Sequence, residues 1–372
     1  MKKIKDPIFV TKPFLPPIEE YYEEMKEIWE SKWLTNNGVK HKKLRERLKN
    51  HLNINHLSLF VNGTLALDLA VKALDLKGEV ITTPFTFPAT SHKIVSNNLK
   101  PVFCDIELDT LNIDSEKIEN LVTSETSAIL PVHIFGNPAN VKEISRIADK
   151  YDLKVIYDAA QAFGVEIGGK SIAEFGDVSM FSFHATKVFH SIEGGMLTYK
   201  ENRLKDKFEQ LKNFGLNDNK TIKAIGTNAK MNEFQAIMGL LNLKYYQQEI
   251  EARKKVAAKY KKRFDKIQGI SYLKDKPNVK YNYAYFPIIV EDNFSKSRDG
   301  LLEELNKKNV FPRKYYSLCS NYECYDKDQI RTSKLINAEY VERRILSLPI
   351  YGALTNEEIN YICNIIKESN RN

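Results

Sequence analysis

Two residues about thirty positions apart have the types that one kind of chemistry needs. Lys187 lies in the run FSFHATKVFHSIEGG, residues 181–195, and Asp158 ends the apolar run KVIYD, residues 154–158. A lysine amine can bond covalently to a carbonyl carbon as a Schiff base. A carboxylate beside a protonated ring nitrogen favours the charged ring. A lysine and an aspartate in these roles are the minimum that pyridoxal 5'-phosphate (PLP) chemistry requires of a protein.

The two residues have separate roles in this hypothesis. Asp158 keeps the pyridine nitrogen of the cofactor protonated, so that the ring can withdraw electrons from the substrate carbon. Lys187 holds the cofactor and later carries a proton between the substrate carbon and the cofactor. The alternative is that Lys187 is one surface lysine among 56 Lys and Arg residues. The aspartate upstream and the charge-poor run around Lys187 favour the catalytic interpretation, which is that of a transaminase.

A third segment has the features of a phosphate site. In HLSLFVNGTLALDLAVKALDL, residues 56–76, a strand-like run ends at Asn62, Gly63 and Thr64, and apolar residues at helical spacing follow. A glycine at such a turn lets the backbone approach a phosphate, and the first free N–H groups of the helix point at it. Gly63 and Thr64 are therefore candidates to bind the cofactor phosphate. The alternative is an ordinary turn in which Thr64 caps the helix.

An aromatic pair follows the next predicted strand. In EVITTPFTFPATSHKIV, residues 79–95, a buried strand leads to Phe85, Thr86 and Phe87 and then to a new helix. An aromatic ring at this point can stack on the pyridine face and hold it. Either phenylalanine could instead belong to the hydrophobic core.

Alternating elements position these residues. Short apolar strands alternate with helical stretches from about residue 30 to about residue 245, a pattern typical of an α/β protein with a doubly wound, largely parallel sheet. Ligands of such sheets bind beyond the carboxyl ends of the strands, which is where KVIYD ends on Asp158. A helical stretch from about 231 to 267 leads to a region of mixed strands and helices. We predict a large domain over residues 26–245 and a smaller C-terminal α/β domain over residues 246–372.

Ordered runs along nearly the whole chain resemble the DegT/StrS nucleotide-sugar aminotransferases, a branch of the fold type I PLP enzymes. The resemblance implies a homodimer with shared active sites and assigns residues 1–25 to the smaller domain. The matching runs are WLTNNG (33–38), NGTLAL (62–67), TPFTFPAT (83–90), PVFCDIELDTLNID (101–114), PVHIFGNP (131–138), DAAQAFG (158–164), FSFHATK (181–187), EGG (193–195), TNAKMNEFQAIMGLL (227–241) and LSLPIY (346–351).

The same resemblance implies roles for individual residues. Lys187 would form the Schiff base, Asp158 would pair with the ring nitrogen, and Gln161 would lie beside the cofactor ring oxygen. The remaining cofactor contacts would be Gly63, Thr64 and Ser182 on the phosphate, Phe87 on the ring face, and Asn228 on the phosphate of the neighbouring subunit.

Finer likenesses predict the substrate. WLTNNG and FSFHATK resemble members that aminate the C4 keto group of a nucleotide-linked 4-keto-6-deoxy sugar, with L-glutamate as the expected donor. Such amination would serve lipopolysaccharide or O-antigen biosynthesis. Two other functions stay open: transamination of a small phosphorylated ketone, and PLP binding by a regulator without turnover.

Four further residues are candidates for substrate binding. His184 could contact the cofactor phosphate or the sugar, or could serve packing alone. In FPRKYYSL, residues 311–318, Arg313, Tyr315 and Tyr316 could bind substrate anions or stack on the substrate. A structural role for these three is the alternative.

Composition excludes several other classes. The 372 residues, 42% hydrophobic and 28% charged, are typical of a soluble globular protein, and no run is long enough for a membrane span or signal peptide. We therefore expect a cytoplasmic enzyme. The net charge of +8 comes from lysines mixed with acidic residues and without a nucleic-acid motif. The four cysteines lack CxxC spacing, which argues against a metal site.

Overall fold

The computed structural model describes residues 5–217 and 219–370. The strands are β1 (Ile8–Phe9), β2 (Leu57–Phe60), β3 (Glu79–Thr82), β4 (Lys100–Phe103), β5 (Thr126–Leu130), β6 (Lys154–Asp158), β7 (Glu166–Ile167), β8 (Lys170–Ser171), β9 (Val178–Ser182), β10 (Gly195–Tyr199), β11 (Ile270–Tyr272), β12 (Val279–Lys280), β13 (Phe286–Val290), β14 (Val310–Phe311), β15 (Arg331–Thr332) and β16 (Ile345–Leu348).

The helices connect these strands and cover the sheets. They are α1 (Ile18–Ser31), α2 (Val39–Leu52), α3 (Gly63–Ala73), α4 (Pro88–Val95), α5 (Ser115–Ile118), α6 (Val141–Tyr151), α7 (Arg203–Leu211), α8 (Glu233–Phe264), α9 (Arg298–Lys307), α10 (Ile336–Glu342) and α11 (Asn356–Ser369). Short 3-10 helices are Glu119–Leu121, Ile134–Gly136, Ile172–Glu174, Cys319–Asn321 and Lys327–Gln329.

An eight-stranded sheet forms the centre of the large domain. Its order is β15-β4-β3-β5-β6-β9-β10-β2. The pairs from β15 to β9 are parallel, while β10 is antiparallel to both β9 and β2. The predicted doubly wound, mostly parallel sheet is therefore confirmed.

Side chains alternate between the two faces of this sheet, as strand geometry requires. In β6, Val155 and Tyr157 pack in the cluster that contains α6, whereas Ile156 packs in the cluster that contains α3 and α7. Helices therefore cover both faces. By the same alternation Asp158 lies on the face of Ile156, toward α3 and α4.

A smaller domain packs beside the large sheet. Its antiparallel sheet has the order β11-β13-β16, and its core includes Tyr260 of α8, Leu301 of α9 and Ile362 of α11. Ile8 of β1 packs in the same core, because β1 pairs with β14. The N-terminal strand β1 thus packs in the core of the smaller domain.

The predicted division at residues 245 and 246 falls inside α8, a single helix of 32 residues. Ile250 packs in the core of the large domain, and Val256 packs in the core of the smaller one. Within the range 246–372, β15 pairs with β4 of the large sheet, and Arg331 binds Glu79 through two hydrogen bonds of 3.0 and 2.8 Å. The exact domain ranges stay a prediction.

Local predictions differ from the structure at strand ends. The run YNYAYFPIIV, residues 281–290, reads as one strand, but β13 begins only at Phe286. Across the described ranges no helix is long and apolar enough to cross a membrane.

Candidate active site

Asp158 lies at the carboxyl end of β6, where β6 and β9 run side by side. Asp158 is opposite Met180 of β9, and its side chain is 4% exposed on a relative scale. One carboxylate oxygen, Oδ2, accepts a hydrogen bond of 2.7 Å from Oγ1 of Thr90. The other oxygen, Oδ1, accepts one of 3.0 Å from the backbone N–H of Ala160. The carboxylate is therefore fixed in the protein interior by neutral donors.

Burial dominates the electrostatics of this carboxylate. Removal from water raises the pKa of Asp158 above its ordinary value. The hydrogen bonds from Thr90 and Ala160 and the positive charge of Lys187 act in the opposite direction and do not fully offset it. A cation beside Asp158 would restore the balance, and this is the environment that a protonated pyridine ring requires.

Lys187 lies in the turn that follows β9. Its backbone N–H donates a 2.8 Å hydrogen bond to the carbonyl oxygen of His184, and its side chain is half-buried. Its Nζ lies 5.9 Å from the centre of the Tyr285 ring. Its charge also affects the pKa of Asp158. The structure therefore brings the two predicted catalytic residues into one site.

The start of α3 meets the end of β9 closely. A Cβ atom on Gly63 would lie 2.9 Å from Cβ of Ser182, so a side chain there would collide with this strand. Gly63 and Thr64 are the first residues of α3, and their N–H groups precede the first helical hydrogen bond. The helix is capped by Asn62, whose side chain accepts from the N–H of Leu65 at 2.8 Å. The alternative that Thr64 is the cap is therefore wrong.

The two phenylalanines that follow β3 have different surroundings. Phe85 is fully buried, whereas Phe87 is 57% exposed although Thr86 beside it is 1% exposed. Phe85 therefore belongs to the core. The Phe87 ring lies 6.4 Å from the ring of Tyr316, so an aromatic face remains open beside the site.

Gln161 joins the large domain to the smaller one. Its Oε1 accepts a 2.5 Å hydrogen bond from the N–H of Phe135, and its Nε2 donates one of 2.7 Å to Oη of Tyr316. Tyr316 is buried and stacks on Tyr315 with ring centres 4.9 Å apart. An amide nitrogen carries two hydrogens, so Gln161 keeps one donor for a ligand oxygen.

Three predicted residues lie outside this buried group. His184 is exposed, with Nδ1 2.8 Å from Oγ1 of Thr186. Asn228 is exposed in the segment before α8, where it forms an isolated antiparallel β-bridge with Asn213. Arg313 is exposed at the edge of the smaller domain. The ligand contacts predicted for these three residues stay predictions.

Two residues of the site are absent from the sequence prediction. Thr90 is 68 positions from Asp158. The prediction for its run, TPFTFPAT, concerns only the stacking of the phenylalanines. The sequence pattern predicts Tyr285 within a strand, but β13 begins only at the next residue. The Tyr285 ring faces Nζ of Lys187. In both cases the partner comes from a remote part of the chain, so no local pattern indicates the contact.

The residues present fit PLP. A buried carboxylate with neutral hydrogen-bond partners suits a cationic ring nitrogen, and the exposed face of Phe87 suits the ring. Thr64 is exposed at the start of α3, where N–H groups without a helical partner suit an anion. Lys187 is the nearby amine. These observations support the roles predicted for the four residues.

Comparison with known proteins agrees with this geometry. Residues 17–367 match the DegT/DnrJ/EryC1/StrS aminotransferase family. A dTDP-4-amino-4,6-dideoxy-D-glucose transaminase of Shigella dysenteriae is 44% identical over 367 residues, which are 98% of this chain and 100% of the relative. A protein of the same name from Escherichia coli is 45% identical over 354 residues, which are 94% of this chain and 95% of the relative.

A solved structure confirms the predicted fold type. The structure of DesI in the presence of its TDP-sugar product superimposes with a TM-score of 0.94 at 30% sequence identity. The superposition covers 99% of this chain and 94% of DesI. The chain therefore has the fold of PLP-dependent sugar aminotransferases.

The raised pKa of Asp158 predicts a pH effect in the protein without cofactor. A group whose pKa is higher in the folded state binds a proton more tightly there, so falling pH stabilises that state and ionisation destabilises it. Asp158→Asn carries no such proton. We expect the melting temperature of the variant minus that of the wild type to be most positive at neutral pH. This difference should decrease as the pH falls through the titration range of Asp158. Thermal denaturation of both cofactor-free proteins across this range is the measurement, and a constant difference would contradict the assignment.

Proposed function

This chain belongs to the DegT/DnrJ/EryC1/StrS aminotransferase family, and from this premise we propose its reaction. It transfers an amino group from L-glutamate to the C4 keto carbon of a nucleotide-linked 4-keto-6-deoxy sugar. The observation that carries the proposal is the 44% identity over 98% of the chain to a dTDP-4-amino-4,6-dideoxy-D-glucose transaminase. The pairing of Lys187 with a buried Asp158 supplies the chemistry.

The residues have distinct roles in this reaction. When bound, PLP would supply an electron sink for the reacting carbon and a carrier for the amino group. Asp158 would keep the ring nitrogen protonated. A buried ionised carboxylate without a positive partner costs free energy, and the protonated nitrogen would be that partner. The remaining amide hydrogen of Gln161 would be available to the ring oxygen, and the Phe87 ring would be available to a ring face.

Lys187 attaches the cofactor and then moves the proton. Lys187 is half-buried, and its Nζ faces the Tyr285 ring. Nζ would hold the cofactor and would carry a proton to and from the substrate carbon. Gly63, Thr64 and Ser182 bind the phosphate at the start of α3.

The product would enter surface polysaccharide biosynthesis, as a lipopolysaccharide or O-antigen component. The proposal includes a cytoplasmic location. Its support is chemical: the four cysteines are free thiols, as expected in a reducing compartment.

We also propose that the enzyme is a homodimer with shared active sites. Large apolar side chains are exposed on α1, on the turn before α2 and on the segment before α8, and such groups mark interaction surfaces. They include Trp29 at 67%, Trp33 at 55%, Ile222 at 73% and Ile225 at 96% exposure. Asn228 lies on the same segment as Ile222 and Ile225 and would reach the phosphate of the neighbouring subunit.

The acceptor is tested by direct turnover. The purified enzyme, loaded with PLP and treated with L-glutamate, is given either dTDP-4-keto-6-deoxyglucose or a small phosphorylated ketone. We expect the sugar nucleotide to restore the absorbance of the original cofactor form and to yield an amino sugar by mass spectrometry. Turnover of the small ketone alone would contradict the proposed substrate, and no turnover of either would favour a regulator.

Shared sites predict complementation between two defective proteins. Lys187→Ala subunits are mixed with Asn228→Ala subunits under conditions that allow exchange. Each mixed dimer would contain one site with both lesions and one with neither, so activity should exceed that of both parents. Steady-state assays before and after mixing measure the gain. Proven exchange without recovery, given a measurable defect in Asn228→Ala, would mean that each site is built from one chain.

A further inference from the structure

We propose that a hollow on the smaller domain, lined by Phe9, Phe311, Arg313 and Tyr315, binds the nucleoside diphosphate part of the substrate. The exposed ring of Phe9 and the half-buried ring of Phe311 would stack on the base, and Arg313 would bind the diphosphate. The inference rests on the proposed function, because it assigns a place to the part of a nucleotide sugar that does not react.

The aromatic platform comes from paired strands. Strand β1 runs parallel to β14, with Ile8 opposite Val310 and Phe9 opposite Phe311. Ile8 and Val310 are buried in the core of the smaller domain, so the phenylalanines face the other way. Their rings are stacked, with centres 5.5 Å apart and planes at 28°, and Phe9 is 52% exposed.

A stacked pair of rings that line a hollow is suited to a flat ligand. Burying either ring would stabilise the fold through the hydrophobic effect, yet the strand register presents both to the hollow. Every nucleobase has a π-face that can stack on an aromatic side chain. The platform therefore suits a base without selecting a particular one.

Arg313 follows the platform along the same extended segment. Its N–H donates to the carbonyl of Ser347 at 3.1 Å, and its carbonyl accepts from Ser347 at 2.8 Å, so the backbone continues in strand geometry beyond β14. Side chains two positions apart on a strand point to the same side. Phe311 and Arg313 thus point to the same side, and both line the hollow together with Tyr315.

The charge of Arg313 is available to a ligand. Its side chain is exposed and forms no ion pair with any residue in the ranges 5–217 and 219–370. The neighbouring Lys314 instead pairs with Asp299 at 2.6 Å. A guanidinium can bind phosphate oxygens through two parallel hydrogen bonds, so Arg313 is the residue of the hollow best suited to a diphosphate.

Tyr285 and Tyr315 lead from the reacting centre to the platform. Nζ of Lys187 lies 5.9 Å from the Tyr285 ring, and the Tyr285 ring lies 5.9 Å from the Tyr315 ring. Phe311 lies four residues before Tyr315, so the two backbones are at most about 14 Å apart. A sugar at Lys187 would therefore place its diphosphate near Arg313 and its base near Phe311 and Phe9. A small phosphorylated ketone would not reach the platform.

The test measures binding of fragments to the PLP-loaded enzyme by titration calorimetry. The probes are dTDP, thymidine and inorganic diphosphate. Arg313→Gln should weaken binding of dTDP and of diphosphate by about tenfold or more. Phe9→Leu and Phe311→Leu should weaken dTDP by roughly tenfold and leave diphosphate unchanged. Phe9→Tyr keeps an aromatic ring and should retain dTDP binding.

A matched control and a kinetic measurement separate this site from a loss of folding. Arg343→Gln removes the same charge from an exposed arginine of the smaller domain, paired with Glu339 at 3.8 Å, and should change nothing. With the keto sugar nucleotide as acceptor, the variants at Phe9, Phe311 and Arg313 should raise KM and leave kcat near that of the wild type. Unchanged melting temperatures exclude unfolding.

The outcomes distinguish this site from the reaction itself. No binding of dTDP by the wild type, or dTDP binding and KM unaffected by the three variants, would overturn the proposed hollow and leave the aminotransferase reaction standing. Failure of every sugar nucleotide as an acceptor would overturn the proposed reaction, whatever the variants do to dTDP binding. A drop in kcat with unchanged KM would also contradict a role in binding the nucleotide.

Discussion

The carboxylate of Asp158, buried at the carboxyl edge of the large sheet, is the constraint around which the site is arranged. Taking an ionised carboxylate out of water costs several kcal/mol. The hydrogen bonds from Thr90 and Ala160 and the charge of Lys187 offset only part of this cost, because the pKa of Asp158 stays above its ordinary value. The raised pKa of Asp158 is the remainder. In the proposed site, a cationic ring nitrogen in contact with the carboxylate would remove this remaining cost.

The two domains meet at this carboxylate. The large sheet supplies Asp158 and Lys187, and the smaller domain supplies Tyr316, which accepts a hydrogen bond from Gln161. Helix α8 spans both cores and holds them together through the buried Arg253, whose guanidinium donates to Glu249 at 2.7 Å and to the carbonyl of Ile350 at 3.1 Å. Packing between the domains therefore fixes the Gln161 amide.

The sequence allows prediction of those parts of the site that depend on local patterns. Gly63 lies at a strand-to-helix turn and Asp158 ends an apolar strand, and both features are visible within about ten residues of sequence. Thr90 and Tyr285 depend on contacts between remote segments, so they could not be found in this way. The same holds for β15, whose two residues join the large sheet from within the predicted smaller domain. The stacked Phe9 and Phe311 are 302 positions apart, and nothing in either run indicates the other.

The rate of the first half-reaction with L-glutamate tests the central role of Asp158 most directly. Stopped-flow absorbance of the bound cofactor would compare the wild type with Asp158→Asn and with Asp158→Glu, which keeps the charge. We expect Asp158→Asn to retain the cofactor and to lose roughly a thousandfold or more in rate, on the scale of neutralising a catalytic carboxylate in place, while Asp158→Glu loses less. An Asp158→Asn enzyme with a rate near that of the wild type would contradict the account.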